Sequence, residues 1–176
     1  VYGFYSTSFS LIKNIEGVNV KPYKTFLSIN ETDQLGIPCE NLSLSDTYLS
    51  VIMPTYNNET TIEESINSVL NQTHENFELI IINDGSFDDT ENILRKYSNN
   101  SKIKILNCLH RGISLSLIEG IKTSNYDFIA RQDADDIWEP YHLDILLDKL
   151  ESNENLDIVG SKVTERKLDL NGKIIR

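Results

Sequence analysis

Cysteine is nearly absent: Cys39 and Cys108 are the only two in 176 residues. They lie far apart, with neither metal-ligand spacing nor the density of a disulfide framework. Two free thiols in a reducing compartment are therefore expected. Lysine and arginine are in deficit, 16 against 27 aspartates and glutamates, for a formal net charge of −11. A nucleic-acid-binding surface needs clustered basic residues, so that class of partner is disfavoured and none is expected. No apolar run reaches the roughly 18 residues of a membrane span, and no leader with a basic start and apolar core is visible. Proline occurs four times and tryptophan once. The chain opens on Val1 rather than Met, which leads to the expectation of an excised piece. Asn-x-Ser/Thr occurs at Asn30, Asn41, Asn58, Asn71 and Asn99, which matters only after secretion.

What is present reads as one globular α/β domain, 39% hydrophobic and 24% charged. Residues 1–47 show no clear period and are interrupted by Pro22, Gly36 and Pro38. They are expected to be an N-terminal extension of unassigned role, built of short helices or the tail of a preceding domain. From residue 48 the pattern sharpens. Short apolar strands are expected at Tyr48–Met53 (ended by Pro54), Phe77–Ile82, Ile103–Leu106, Tyr126–Arg131 and Leu156–Val159. Between them lie amphipathic helices. Thr60 and Thr61, each followed three residues later by glutamate, suggest a capping box. Asp88 or Asp89 is expected to cap a second helix, Ile113–Lys122 is a third, and Pro140 opens a fourth. Asn171-Gly172 suits a hairpin turn. Alternating apolar strands and helices imply a mostly parallel sheet with helices on both faces. Ligands bind beyond the carboxyl ends of such strands, which directs attention to 54–59, 83–86 and 132–136.

Those loops carry chemistry. Asp133, Asp135 and Asp136 put three carboxylates into four residues after an apolar strand. Their repulsion is relieved by solvent or by a cation. Mg²⁺ takes one or two carboxylates and completes its shell with water and substrate phosphate, so the cluster suits a metal–diphosphate; a solvated acidic turn capping the next helix is the plainer alternative. Asp84, in Asn83-Asp84-Gly85-Ser86, ends a buried strand where glycine permits close backbone approach. It suits a base N–H, or else a simple Asx turn.

Together SVIMPTYN at 50–57, ELIIINDGSFDDT at 78–90 and ARQDADDIW at 130–138 resemble glycosyltransferase family 2, the GT-A fold, in order and spacing over residues 48–165. The resemblance implies a nucleotide-sugar-binding domain over 48–176, incomplete at its C-terminus. It implies that Pro54, Thr55, Tyr56, Asn57 and Glu59 border the nucleotide, that Asp84 binds the base, and that Arg131 reaches phosphate or sugar. Asp133 would sit near the ribose and the metal, with Ala134 beside it in the nucleotide-sugar site. Asp135, with Asp133, would ligate Mn²⁺ or Mg²⁺. His110 and Arg111 would face the nucleotide or form a solvated turn. Ile118 stands where such proteins often carry asparagine. The implied activity is metal-dependent, inverting transfer of a hexosyl group from a UDP-sugar to a saccharide or glycolipid acceptor, in bacterial surface polysaccharide or lipooligosaccharide synthesis. The alternative is a nucleotide-sugar-binding module without turnover of its own. A nucleotidyltransferase is disfavoured, because no Gly-rich loop followed by Arg and Lys appears near the first strand. The catalytic base is expected downstream of Arg176, with Glu165 and Asp169 as poor substitutes. A cytoplasmic place is expected, peripheral to the membrane's inner face through regions outside this chain.

Overall fold

The computed structural model describes residues 9–13, 27–28, 45–161, 167–168 and 174–175. Pro22, Asn30, Gly36, Pro38, Cys39, Asn41, Glu165, Asp169 and the Asn171-Gly172 turn lie outside the described residues.

Four parallel strands form the centre. β3 (Leu49–Thr55) lies between β4 (Phe77–Asn83) and β6 (Phe128–Arg131), and β5 (Ile103–Asn107) adds beyond β4. The register runs from Leu49↔Phe77 to Thr55↔Asn83, so the two strands end together at the same edge. On the far side of β6 come β1 (Phe9–Lys13), β7 (Ile158–Gly160) and β2 (Leu27–Ser28), giving the order β2-β7-β1-β6-β3-β4-β5. β1 is antiparallel to both β6 and β7, and β7 is parallel to β2. β1 thus runs against every other described strand of the sheet. Residues 9–13 and 27–28, read from sequence as part of an aperiodic extension, are sheet strands. Phe-Ser-Leu-Ile-Lys has no strict alternation, and a two-residue strand has no period at all. β8 (Lys167–Leu168) and β9 (Ile174–Ile175) pair antiparallel.

The helices are α1 (Ile62–Leu70), α2 (Thr90–Arg95), α3 (Ile113–Thr123) and α4 (His142–Glu151). Alternation along the strands sorts them onto two faces. Val51, Met53, Leu79 and Ile81 face the larger core with Ile62 and Ile66 of α1, Leu94 of α2 and Leu143 and Leu147 of α4. Ile52, Ile80, Ile82 and Ile129 face the other way, against Leu117 of α3. Full burial of such a side chain contributes about 1.5–3 kcal/mol. β4 is buried on both faces, which is why it reads as an unbroken apolar run.

Pro54 does not end its strand; β3 continues through it to Thr55. The Ile52 carbonyl accepts from Gln132 N–H on the β6 side, and the Thr55 carbonyl accepts from Asp84 N–H on the β4 side. Alternation turns the Pro54 nitrogen toward β6, past the last pair Ile52↔Arg131, where no ladder bond is lost.

The expected capping box is also absent. Thr61 sits at the N-cap of α1 with φ −125° and ψ −28°, makes no side-chain cap bond, and keeps its buried hydroxyl unpartnered. A capping hydroxyl needs an extended backbone. Instead the Asn58 carbonyl accepts from both Thr61 and Ile62 N–H.

Gly120 explains how closely α3 approaches the sheet. A Cβ there would lie 2.4 Å from Ile52 Cγ2 and 2.9 Å from Ile82 Cδ1. Gly120→Ala is therefore expected to lower stability by about 1–2 kcal/mol, overpacking outweighing the helix propensity gained. Urea unfolding tests it; an unchanged midpoint would show that α3 lifts off the sheet at no cost.

Candidate functional site

The carboxyl ends of β3, β4, β5 and β6 open onto a cleft of about 310 Å³. β3 and its loop contribute Pro54, Thr55, Tyr56 and Asn58. β4 contributes Asp84, the loop after β5 His110 and Gly112, α3 Ile113 and Ser116, and the loop after β6 Asp133, Ala134 and Asp135. The structure thus brings Pro54, Thr55, Tyr56, Asp84, Asp133, Ala134 and Asp135 together on one wall, as their positions at strand ends suggest.

Asp84 is almost wholly buried. Its Oδ1 accepts from Arg111 N–H at 2.9 Å and its Oδ2 from Gly112 N–H at 2.8 Å. Burial alone would raise its carboxyl; the two backbone donors, the Ser116 hydroxyl and the His110 ring outweigh that and hold it below the usual carboxylate value. His110 Nδ1 lies 3.0 Å from Asp84 Oδ2 and 3.1 Å from the Asp84 carbonyl. Both partners accept only, so Nδ1 carries the proton. The His110 ring stacks on Tyr56 at 4.0 Å between centroids, and Phe87 meets Tyr56 edge-on at 6.0 Å. The close pass of the two loops needs Gly85: with φ +73°, it leaves no room for a Cβ, which would meet His110 N at 2.8 Å.

Asn57 and Glu59 are turned to a different task. Asn57, at φ +54°, donates its N–H to Ser86 Oγ at 3.0 Å and accepts Phe87 N–H on Oδ1 at 2.9 Å. Asparagine tolerates this left-handed backbone better than most residues. Glu59 N–H donates to Asp88 Oδ2, and Glu59 Oε2 accepts from Asp89 N–H. The loops after β3 and β4 are thereby knitted together, and neither side chain lines the cleft. Asp88, not Asp89, receives the Thr90 N–H at the start of α2. Inside the first loop, Asn58 Oδ1 accepts from Thr55 Oγ1 and Tyr56 N–H, both at 3.0 Å.

The acidic loop is moored from beneath by polar groups. Ser65 Oγ and Gln132 Nε2 both donate to the Asp136 carbonyl, at 2.6 and 2.7 Å. Ser68 Oγ accepts Trp138 N–H, and Gln72 binds the Glu139 carbonyl and the Leu143 N–H. Ala134 turns into the core, leaving Asp133 and Asp135 beside the cleft. Arg131 forks onto Asp133, with Nε 2.9 Å from Oδ1 and Nη2 2.9 Å from Oδ2. Arg131 does not itself line the cleft, and the Arg111 guanidinium turns to Glu119 at 3.7 Å. Asp135 is exposed.

No group of three or more His, Cys, Asp or Glu able to hold a metal occurs among the described residues. Asp133 and Asp135 by themselves still suit a hard cation that takes one or two carboxylates and completes its shell from phosphate and water. Of the two, Asp135 is the carboxylate that Arg131 does not engage. Sequence reasoning missed Gly112, Ile113 and Ser116, and reached Asn58 only as a member of the 54–59 loop. Gly112 and Ser116 carry no charge or motif of their own, and reach the cleft only because Asp84 draws in the start of α3. No helix among the described residues is long and apolar enough to cross a membrane.

Comparison with known proteins places this cleft in context. The family model described as "Glycosyl transferase family 2" matches residues 50–172. A glycosyltransferase of Haemophilus influenzae is 42% identical over 115 residues, covering 64% of this chain and 36% of that protein. A UDP-Glc:alpha-D-GlcNAc-diphosphoundecaprenol beta-1,3-glucosyltransferase of Escherichia coli is 35% identical over 141 residues, 73% of this chain and 55% of its own length. Staphylococcus aureus TarS 1–349 in complex with UDP-GlcNAc superposes with a TM-score of 0.57 at 28% identity, covering 61% of this chain and 32% of TarS. The chain spans between 18 and 55% of the length of the curated relatives it matches. The three strand-end loops and the family match together establish that the chain belongs to glycosyltransferase family 2 and has the GT-A fold.

Proposed function

We propose that this chain binds the donor in a metal-dependent, inverting glycosyltransferase that moves a hexosyl group from a UDP-sugar to a saccharide or glycolipid acceptor, in building bacterial surface polysaccharide or lipooligosaccharide. One observation carries the reading. Among the described residues the cleft wall holds the carboxylates of Asp84, Asp133 and Asp135 and no lysine or arginine, yet a nucleotide sugar brings two negative phosphates. Such a wall repels a bare diphosphate and accepts one that arrives with a cation. TarS, of the same fold at 28% identity, is known in complexes with UDP and UDP-GlcNAc, which supports UDP as the nucleotide.

In this reading Tyr56 offers its ring to the base, Asp84 accepts a base N–H, and Asp133, held by Arg131, accepts from a ribose hydroxyl. Asp135 holds Mn²⁺ or Mg²⁺, which supplies Lewis-acid stabilisation of the departing diphosphate. In the transfer, the acceptor oxygen bonds to the anomeric carbon, the bond from that carbon to the diphosphate breaks, and UDP leaves. The acceptor proton passes to a carboxylate base.

Calorimetry with UDP tests the donor site. Binding is expected with Mn²⁺ and to disappear with EDTA. Asp135→Ala is expected to weaken it about tenfold or more, the scale of one charge-assisted contact. Equal affinity of mutant and wild type in Mn²⁺ would remove Asp135 as the ligand.

A further inference from the structure

We propose that His110 competes with the nucleobase for its own subsite and so sets the donor affinity. The proposal rests on the reading of Tyr56 and Asp84 as the base subsite. The His110 ring already makes the two contacts that reading gives to the base. It lies on the Tyr56 ring at 4.0 Å, inclined by 26°, near enough that no second ring fits between them. It also directs a ring N–H at Asp84 Oδ2 from 3.0 Å.

Asp84 Oδ2 has no room for both. Each carboxylate oxygen offers about two lone-pair positions. Gly112 N–H and His110 Nδ1–H take those of Oδ2, while Arg111 N–H holds Oδ1. Two of these donors are fixed by the main chain. His110 is different: its side chain is 53% exposed. Its main chain is pinned, since His110 N packs against Gly85. Only the ring is free to leave, and one outward rotation releases the Tyr56 face and a lone pair of Asp84 together. The ligand class able to replace it is a planar base with a ring N–H between carbonyl groups, as in uracil or thymine.

The test uses the whole chain with Mn²⁺, and compares wild type with His110→Ala by calorimetry. The variant is expected to bind UDP roughly fivefold to tenfold tighter, the scale of one aromatic pair and one exposed hydrogen bond. Inorganic pyrophosphate, which does not reach the base subsite, is expected to bind both proteins equally. In the wild-type protein, nuclear Overhauser effects between the His110 and Tyr56 ring protons are expected to vanish when UDP is added. UDP affinity in His110→Ala equal to or below wild type would overturn the proposal, as would ring–ring effects that persist at saturating UDP. Failure of the donor-site reading looks different: neither protein binds UDP at all, and the competition falls with it.

Discussion

Replacing Asp84 by alanine is expected to lower stability by about 2–4 kcal/mol and to abolish UDP binding at the same time. From sequence alone the residue reads as a ligand contact at a sheet edge with little structure to support, and the effect on binding is expected to dominate. The structure adds a second burden. Arg111 N–H and Gly112 N–H stand at the start of α3 with Asp84 as their acceptor, at 2.9 and 2.8 Å. Hydrogen bonds to a charged group contribute about 1.5–3 kcal/mol each, and water recovers part of that where the loop is open. Asp84→Asn keeps one acceptor oxygen and is expected to fall between alanine and wild type. Urea unfolding with calorimetry on the folded fraction measures both effects. An alanine variant as stable as wild type would show that the loop after β5 holds its place without the carboxylate, and the base reading would stand alone.

How much of this was legible in the sequence follows from the range of each interaction. The four central strands showed themselves because β4 is buried on both faces and because loops with glycine or acidic residues end β4 and β6. The cleft-lining residues at those ends were legible for the same reason: a parallel sheet delivers its strand termini to one edge. Three features were not legible. β1 enters the sheet between β6 and β7 as five residues with no alternation, and only distant partners define it. Pro54 stays within β3 because β6 stops short beside it, which is a property of the neighbour. Arg131 and Asp133 sit two residues apart with β6 ending between them, and sequence gives no reason to prefer their mutual fork over a fork onto a phosphate. Asn57 and Glu59 show the same limit: both belong to the right loop, yet they bind the adjoining loop instead of the cleft.

Acidification should weaken the fold well before its carboxylates titrate, because of His142. Its ring begins α4, stacks on Trp138 at 4.5 Å between centroids, and has a buried Nε2 without a hydrogen-bond partner. Burial pushes its pKa down to about 4. An unfolded histidine titrates near 6.5. Between those values the unfolded chain binds a proton that the folded chain refuses, so stability rises with pH across that window and is lost as pH falls from about 6.5 toward 4. A full shift of that size corresponds to about 3 kcal/mol. Asp84 and Asp88 act in a lower window. Burial would raise both carboxyls, but their hydrogen bonds outweigh it and hold them below 3.8, so their contribution is present above that value and lost beneath it. His142→Phe keeps the ring on Trp138 and removes the titration. Urea unfolding between pH 7 and pH 4.5, followed by the fluorescence of the single tryptophan, should show a steep loss for wild type and a shallow one for the variant. Parallel pH profiles for the two proteins would mean that the His142 ring takes up its proton in the folded state as readily as in the unfolded chain.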